Sequence, residues 1–552
     1  MSELDSNFIF SEIDRDIRAG VYDRDKIKTR FPPEPNGYLH IGHAKAVYIS
    51  FSVKERYGGT ANLRFDDTNP SKEDTEYAQA ICEDISWLGY QWDELHYASN
   101  YFPQMYSYAC ELIRKGLAYV DSQSPEEIKA SRGTLTEKGK ESPFRNISPE
   151  ESLRLFEEMR SGKWEAGSKV LRAKIDMASP NINLRDPVLY RILFAPHHNT
   201  GEEWCIYPMY DYAHPIEDAI EKITHSLCSI EFEDHRPFYD WLLANLDDYK
   251  ENRPRQIEFA RLELENALTS KRFIKRLVDE GIVDGWDDPR LYTLQGVRRR
   301  GVTPNAIRLF CESTGVAKTK TIMPHAQFDY YVREDLQKMS PRAMAVVDPI
   351  RLIIENYPEG ETETLEIPND ASDPSKGFRL ATFGRELYIE AEDFMAQPVP
   401  KYRRLYPGNE VRLMGAYFVA CTRFKIESNG STTVYGTYDP KSKSGSGFSE
   451  RKPKGTIHWV YQGKAVPILT REFSELYDAS LEGSDLIDKI NRNSVLERRS
   501  YAEESIESAK AGDRFQFVRK GFYCMDAKLS KPGLPVFNLT VSLKSGWKPE
   551  GA

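Results

Sequence analysis

Apolar positions near the start of the chain follow two spacings. Asn62-Leu63-Arg64-Phe65 alternates as a strand does, while Tyr77, Ala80, Ile81, Ile85 and Leu88 recur at helical intervals over Thr75 to Leu88 and stop at Gly89. Residues 1–100 therefore read as α/β. Residues 101–210 mix helical stretches with a polar, glycine-containing hairpin over Arg132 to Arg145, and 211–260 return to α/β. From 273 to 338 the spacing is mostly helical, as in Asn305 to Cys311. After Pro341, strand-length alternating segments dominate, and Asn429-Gly430 separates two of them as a tight hairpin turn. Lys441 to Phe448 reads as a flexible, partly disordered loop or linker. The change of style places a domain boundary near 340, and no repeat of fixed period is visible.

Length and composition narrow the class. A chain of 552 residues fits about three to five domains at roughly 100–200 residues each. Hydrophobic residues at 40% and aromatics at 12% suffice for packed cores and argue against disorder. No apolar run long enough for a membrane span is present, and the acidic start Met1-Ser2-Glu3-Leu4-Asp5 lacks a signal core. Seven scattered cysteines form no CxxC pair, which argues against a zinc knuckle or a disulfide framework and points to a reducing cytosol. The net charge of -10 alone disfavours a polyanionic partner. Local basic clusters must carry any nucleic-acid contact: Arg298-Arg299-Arg300, Lys401 with Arg403-Arg404, and Arg451-Lys452 with Lys454.

The most informative stretch is Arg30-Phe31-Pro32-Pro33-Glu34-Pro35-Asn36-Gly37-Tyr38-Leu39-His40-Ile41-Gly42-His43. Three prolines stiffen an extended segment, and Asn36-Gly37 turns it into a helix start. His40 and His43, three apart, are expected on one helix face, with Gly42 letting a flat base approach the backbone. Imidazoles over a helix N-terminus can donate to phosphate oxygens, as a nucleotidyl transfer needs where charge develops on the α-phosphate. A second element, Leu268-Thr269-Ser270-Lys271-Arg272, follows Gln256-Ile257-Glu258-Phe259-Ala260-Arg261-Leu262. A lysine in a mobile loop can follow departing pyrophosphate as a compact charge on a flexible stem.

Together these elements resemble the HIGH and KMSKS motifs of class I aminoacyl-tRNA synthetases. The first matches fully; in the second, Ser270 and Lys271 remain, while Leu268, Thr269 and Arg272 depart. Within that class the chain is similar over nearly its whole length to the glutaminyl-tRNA synthetases of bacterial type. The similarity runs through Arg64-Phe65-Asp66-Asp67-Thr68-Asn69-Pro70, Arg132-Gly133-Thr134-Leu135-Thr136, Tyr207-Pro208-Met209-Tyr210-Asp211 and Pro341-Arg342-Ala343-Met344-Ala345-Val346.

The resemblance implies an α/β plus β enzyme: a nucleotide-binding doubly wound parallel sheet (1–100 and 211–260), an inserted acceptor-end-binding domain (101–210), a helical connector (261–339) and an anticodon-binding region of two C-terminal β-barrels (340–552). It implies catalytic roles for His40, His43 and Lys271, and ATP contacts from Glu34, Pro35, Asn36, His40, Gly42, His43, Ala44, Lys45, Ser229, Arg261, Leu262, Thr269, Ser270 and Lys271. Glutamine would meet Asp66 through its ammonium, Tyr210 through its side-chain amide, and Cys228. Related glutamate enzymes place an arginine where Cys228 stands. A neutral thiol cannot balance a γ-carboxylate, and a buried unpaired carboxylate is costly, so glutamate is expected to be rejected.

For the RNA, the resemblance implies that the segment containing Leu135 inserts at the acceptor end and helps open the first base pair, an exposed apolar wedge being able to unstack bases. It places Asp234 on the acceptor stem, and Lys318, Arg342, Arg404, Arg412, Gln516 and Arg519 among the tRNA contacts. Pro215 and Met414 depart from residues usual in relatives. The reaction would run in two steps. Glutamine and ATP, brought with Mg2+ as the substrate complex, give glutaminyl-adenylate, whose acyl group passes to a terminal ribose hydroxyl, the 2′-hydroxyl, of tRNA(Gln). tRNA is needed even for the first step, and no protein general base stands out. No protein-bound metal or organic cofactor is expected, and the enzyme is expected to be a cytoplasmic monomer. A glutamate-charging enzyme of the same branch and a non-catalytic tRNA-binding protein are the alternatives.

Overall fold

The structure, a computed structural model, describes residues 7–70, 75–251, 253–370 and 373–544. The chain forms two compact units, Met1–Leu264 with Cys311–Met323, and Glu265–Phe310 with Pro324–Ala552.

In the first unit, α1 (Phe8–Arg18) precedes β1 (Lys28–Phe31), α2 (Ile41–Tyr57), β2 (Thr60–Phe65), α3 (Thr75–Trp87) and β3 (Leu95–Tyr97). The three strands are parallel, in order β1-β2-β3, joined by helical crossovers. Gly59 makes the first crossover tight: a Cβ there would lie 1.9 Å from the Ile27 carbonyl oxygen. Next come α4 (Phe102–Arg114), β4 (Ala118–Asp121), α5 (Pro125–Ser131), α6 (Pro149–Arg160), β5 (Val170–Ala173), β6 (Val188–Ile192) and β7 (Ile206–Pro208). Strands β4 to β7 form an antiparallel sheet in sequence order, and Phe102, Met105, Phe156, Tyr190, Trp204 and Tyr207 are buried in one core there. Then α7 (Tyr210–Ile220), β8 (His225–Ser229), α8 (Arg236–Asn245) and β9 (Arg255–Phe259) restore the parallel pattern, β8 pairing with β9. The Thr224 N–H donates to the Lys28 carbonyl (3.0 Å), which sets β8 beside β1. A two-stranded parallel pair, β10 (Leu262–Leu264) with β11 (Thr321–Met323), completes the unit.

The hairpin expected over Arg132 to Arg145 is a correction. That stretch holds no strand. Its polar side chains bond their own backbone instead: the Thr136 and Glu137 N–H groups both donate to Thr134 Oγ1.

The second unit opens on α9 (Lys271–Asp279), α10 (Leu294–Arg300), α11 (Pro304–Ser313, whose end belongs to the first unit) and α12 (His325–Met339). Its strands are β12 (Arg342–Ala343), β13 (Ala345–Val346), β14 (Pro349–Ile354), β15 (Thr362–Pro368), β16 (Phe378–Gly384), β17 (Glu386–Glu390), β18 (Glu410–Leu413), β19 (Phe418–Ile426), β20 (Thr432–Asp439), β21 (Thr456–Ile457), β22 (Val460–Tyr461), β23 (Val466–Phe473), β24 (Val495–Ala502), β25 (Arg514–Phe517), β26 (Gly521–Met525) and β27 (Val536–Ser542). Fourteen of them make two seven-stranded sheets, each closed by one short segment that pairs at both edges, while β15 and β16 pair as a separate antiparallel hairpin. Residues 342–346 pair with β25 on one side and β24 on the other. Residues 456–461 do the same with β18 and β17. The strand alternation at 343–346 serves both barrels: Ala343 and Ala345 enter one core, Met344 and Val346 the other. The Asn429-Gly430 turn joins β19 to β20, with Gly430 at φ +83°.

The 441–448 segment departs from a free linker. Ser442 is buried and accepts from the Phe418 N–H (2.8 Å), and the Ser444 N–H donates to the Ala416 carbonyl (2.9 Å). No helix among the described residues is long and apolar enough to cross a membrane.

Candidate adenylation and substrate site

The proline-rich entry ends where α2 begins, and the two histidines hold that junction. His40 is the N-cap, in extended conformation (φ -129°, ψ 175°), so only His43 is helical; the expectation of a shared helix face is corrected. The rings still meet, centroids 3.8 Å apart, because each caps the backbone: the Gly42 N–H donates to His40 Nδ1 and the His40 N–H to His43 Nδ1, both at 3.1 Å. Backbone donors at both Nδ1 atoms place the proton of a neutral ring on Nε2. Gly42 is needed by this packing. A Cβ there would lie 2.9 Å from His40 Cε1 and 3.1 Å from the Leu262 carbonyl oxygen.

Asp66 follows β2 and is buried beside Glu34; its N–H donates to the Pro33 carbonyl (3.1 Å), and Thr68 Oγ1 donates to its carboxylate (3.1 Å). Burial, then Glu34, push its carboxyl up to about 6. Tyr210 opens α7, with its ring over His214 (5.2 Å) and Phe232 (5.1 Å). Burial, then Cys228 and Asp66, hold its phenol well above the ordinary value.

The surroundings of Cys228 correct the picture of a pocket without a cation. Cys228 Sγ is buried 3.5 Å from Arg30 Nη2 and 3.8 Å from His214 Nε2. Arg30, on β1, is fully buried. It pairs through Nε with Asp218 (2.9 Å), donates to the Leu227 carbonyl (2.8 Å) and Ser226 Oγ (2.8 Å), and touches His214. Arg64, on β2, pairs with Asp218 (2.7 Å), Glu217 (2.9 Å) and Glu221 (3.1 Å). Asp218 also accepts from Ser226 Oγ (2.6 Å) and Tyr239 OH (3.1 Å). Burial opposes the Asp218 charge, but Arg30, His214 and Arg64 outweigh it and hold the carboxyl well below the ordinary range. Burial likewise opposes the His214 charge, but Asp218 and Cys228 lift its imidazolium to about 9. Burial raises Glu217 to about 8 despite Arg64. For Cys228, the Arg30 and His214 charges overcome burial and lower the thiol. Two buried arginines thus lie within a cage of carboxylates. Arg30 and Arg64 stand inside the sequence motifs, whereas His214, Glu217, Asp218 and Glu221 were missed; their signal was the His214/Asp218 and Glu217/Glu221 spacing of four along α7 and its C-cap.

The remaining predicted nucleotide residues divide. Glu34 is exposed and accepts from the Asn36 side chain, Pro35 is buried, and Ala44 lies on the buried face of α2. The Lys45 Nζ donates to the Cys311 carbonyl (2.6 Å), Thr314 Oγ1 (2.7 Å) and the Gly315 carbonyl. Burial lowers it to about 8. Four carbonyls left unbonded at a helix end attract such a donor. Ser229 caps the short turn Ile230–His235 and donates to Glu231 (3.3 Å), Arg261 pairs with Glu231, and Leu262 is buried in β10. Thr269, Ser270 and Lys271 lie in the second unit, where Ser270 is the N-cap of α9 and Lys271 its first residue, so the lysine expected in a mobile loop opens a helix. Among the described residues, Asp67, His197 and His198 are grouped closely enough to suggest a metal. His197 spends both nitrogens on backbone, however, with Nε2 2.6 Å from the Asp67 carbonyl and Nδ1 accepting from Asn199 and Thr200.

Residues 26–338 match the family model described as "tRNA synthetases class I (E and Q), catalytic domain". Residues 340–439 and 456–526 match two models described as "tRNA synthetases class I (E and Q), anti-codon binding domain". A glutamine–tRNA ligase of Clostridium perfringens is 56% identical over 551 residues, covering 99% of each chain. One of Proteus mirabilis is 50% identical over 554 residues, again covering 99% of each. The chain belongs to the glutamine–tRNA ligase family. A solved glutamate tRNA ligase of Elizabethkingia meningosepticum is 19% identical, with TM-score 0.42, covering 57% of this chain and 70% of that one.

In this family member, the predicted RNA residues occupy contrasting settings. Leu135 is 82% exposed at the tip of its loop. Asp234 has an exposed side chain, and Lys318 pairs with Glu233 (3.3 Å). In the second unit, Arg342 donates to Gln516 (3.1 Å) and pairs with Asp370 (3.1 Å), beside a cavity of about 850 Å³ that Met414 also lines. Arg412 donates to Ser444 Oγ (2.9 Å) and covers the Phe418 ring at 4.1 Å. Arg404 and Arg519 share the buried carboxylate of Asp393: Arg404 Nη1 reaches it at 2.6 Å, Arg519 Nη1 and Nη2 at 2.6 and 2.7 Å.

Proposed function

We infer that this chain activates L-glutamine with ATP and transfers it to the 3′ end of tRNA(Gln). The observation that carries this reading is full-length identity to glutamine–tRNA ligases together with an intact His40-Gly42-His43 junction. In the first step the glutamine carboxylate attacks the ATP α-phosphate in line. His40 and His43 donate from Nε2 to the oxygens that gain charge, and Lys271 follows the pyrophosphate. ATP enters as its Mg2+ complex, which supplies charge neutralisation at the phosphates. Asp66 receives the substrate ammonium: burial and Glu34 raise its carboxyl to about 6 despite the Thr68 hydrogen bond and the Arg64 charge, and a cation bound there favours the carboxylate form. The Tyr210 phenol meets the amide. Arg30 lies near the same end, but its guanidinium is already engaged by Asp218, the Leu227 carbonyl and Ser226 Oγ, so a neutral amide, which needs no cation, suits the site better than a second carboxylate.

In the second step a terminal ribose hydroxyl, by family resemblance the 2′-hydroxyl, attacks the adenylate carbonyl. Within this reading 1–100 and 211–260 form the catalytic region, 101–210 hold the acceptor end, 261–339 connect, and the barrels of 340–552 read the anticodon through Arg342, Arg404, Arg412, Gln516 and Arg519. Seven free thiols suit a reducing cytoplasm, and we take the working form to be a monomer. Aminoacylation of a tRNA(Gln) transcript with glutamine and with glutamate side by side tests the reading. Efficient glutamine transfer is expected, and efficient glutamate transfer overturns it. ATP–pyrophosphate exchange with glutamine and tRNA, expected to be present, would be absent in a mere tRNA binder.

A further inference from the structure

Arg185 is 2% exposed and forms no ion pair among the described residues, which is unusual for a buried arginine. Its guanidinium is spent on backbone. Nη1 donates to the carbonyls of Arg132 (2.9 Å), Thr134 (2.8 Å) and Glu137 (2.8 Å), and Nε to that of Ser179 (2.7 Å). Three of these acceptors belong to the loop that holds Leu135 at 82% exposure. That loop has no strand or helix of its own at its tip, and Gly133 (φ +75°) is packed so closely that a Cβ would lie 2.6 Å from the Glu137 carbonyl oxygen. An exposed leucine gains nothing from the fold that presents it, so its orientation must come from the backbone beneath.

Arg185 is itself fixed. Arg172 donates from Nη2 to its carbonyl (3.4 Å) and from Nε to that of Asp186 (2.7 Å), and Asp186 has a left-handed φ of +45° and pairs with Arg145 (2.7 Å). The same segment reaches the other way. Asn181 and Asn183, on the turn that Arg185 ends, both donate through Nδ2 to the Asp234 carbonyl, at 2.7 and 3.2 Å. We propose that Arg185 is the positioning residue of the Leu135 loop, and that residues 179–185 form a strap linking that loop to Asp234. The strap keeps two acceptor-end contacts, far apart in sequence, in one register. The proposal rests on the reading of Leu135 as the wedge that opens the first base pair.

The test uses the full chain and two tRNA(Gln) transcripts, one with a paired and one with a mismatched first base pair. Arg185→Lys keeps the charge but loses the planar fork that serves four carbonyls. It should lose on the order of a hundredfold in kcat/KM on the paired transcript and recover to within about threefold of wild type on the mismatched one. Leu135→Ala should show the same selectivity. Arg185→Lys that loses equally on both transcripts, or loses nothing, overturns the proposal. Leu135→Ala without selectivity overturns the wedge reading instead, so the two failures are distinct.

Discussion

The Cys228 thiol and the Arg30 guanidinium lie 3.5 Å apart on neighbouring strands, with Asp218 paired to the arginine's Nε at 2.9 Å. Three cationic groups, Arg30, Arg64 and His214, already share that carboxylate. Cys228→Arg adds a fourth with no new anion. We expect kcat/KM for glutamine to fall by about tenfold or more, with a smaller loss for glutamate, whose carboxylate supplies the missing charge. An unchanged glutamine-to-glutamate ratio in parallel charging assays would refute this.

Gly42→Ala should cost activity more than stability. Alanine gains about 1 kcal/mol over glycine in a helix interior, which offsets part of the close contacts a Cβ makes here, so the melting temperature should hold or fall slightly. The added Cβ meets His40 Cε1 at 2.9 Å and the Leu262 carbonyl at 3.1 Å, so the ring must move. A donor displaced from the developing charge costs about ten- to a thousandfold in kcat. Pyrophosphate exchange at wild-type rate would show that the ring's position is not critical.

Local chemistry was legible in the sequence, and long-range pairing was not. The His40-Ile41-Gly42-His43 junction could be read because prolines, a turn and a helix start act over adjacent residues. Arg30 stood in the same stretch, yet its meaning depends on Asp218, 188 residues away, and a helix with Glu217, Asp218 and Glu221 reads as solvated. The partners of Lys45 were hidden for the same reason: its acceptor at Cys311 is 266 residues distant. The β style after Pro341 was evident from alternation. Closure of each barrel by a segment of five or six residues pairing at both edges has no local signal. Leu135 shows the limit from the other side, since an apolar residue in a polar loop predicts burial as readily as exposure.

Asp66 should limit the stability of the unliganded protein. Its folded pKa of about 6 exceeds the ordinary 3.8, so the folded state holds its proton more tightly than the unfolded state does. Stability from this group is full below pH 4 and is lost as pH climbs from about 4 to about 6. Asp66→Asn escapes that loss and should be more stable above pH 6 by about 2–3 kcal/mol, with little difference at pH 4. Its KM for glutamine should rise, because the ammonium loses its carboxylate. Melting curves across pH 4–8 check the claim; a variant less stable than wild type at pH 7 would contradict it.

Asp393 should act on tRNA binding through the two arginines it holds. It is fully buried, it fixes Arg404 through one bond and Arg519 through two, and Arg519 pays with a positive φ of +67° that a non-glycine residue adopts only when its surroundings demand it. Asp393→Asn removes the charge and turns an amide N–H₂ toward a guanidinium. We expect KM for tRNA to rise by about three- to a hundredfold, with kcat within about twofold, since coupled neighbours interact by about 0.5–3 kcal/mol. The effect should also be non-additive. In Arg404→Ala or Arg519→Ala backgrounds, Asp393→Asn should cost much less than in the wild type, because the geometry it maintains is already gone. Equal penalties in all three backgrounds would mean that Asp393 supports the barrel in general and does not aim these side chains.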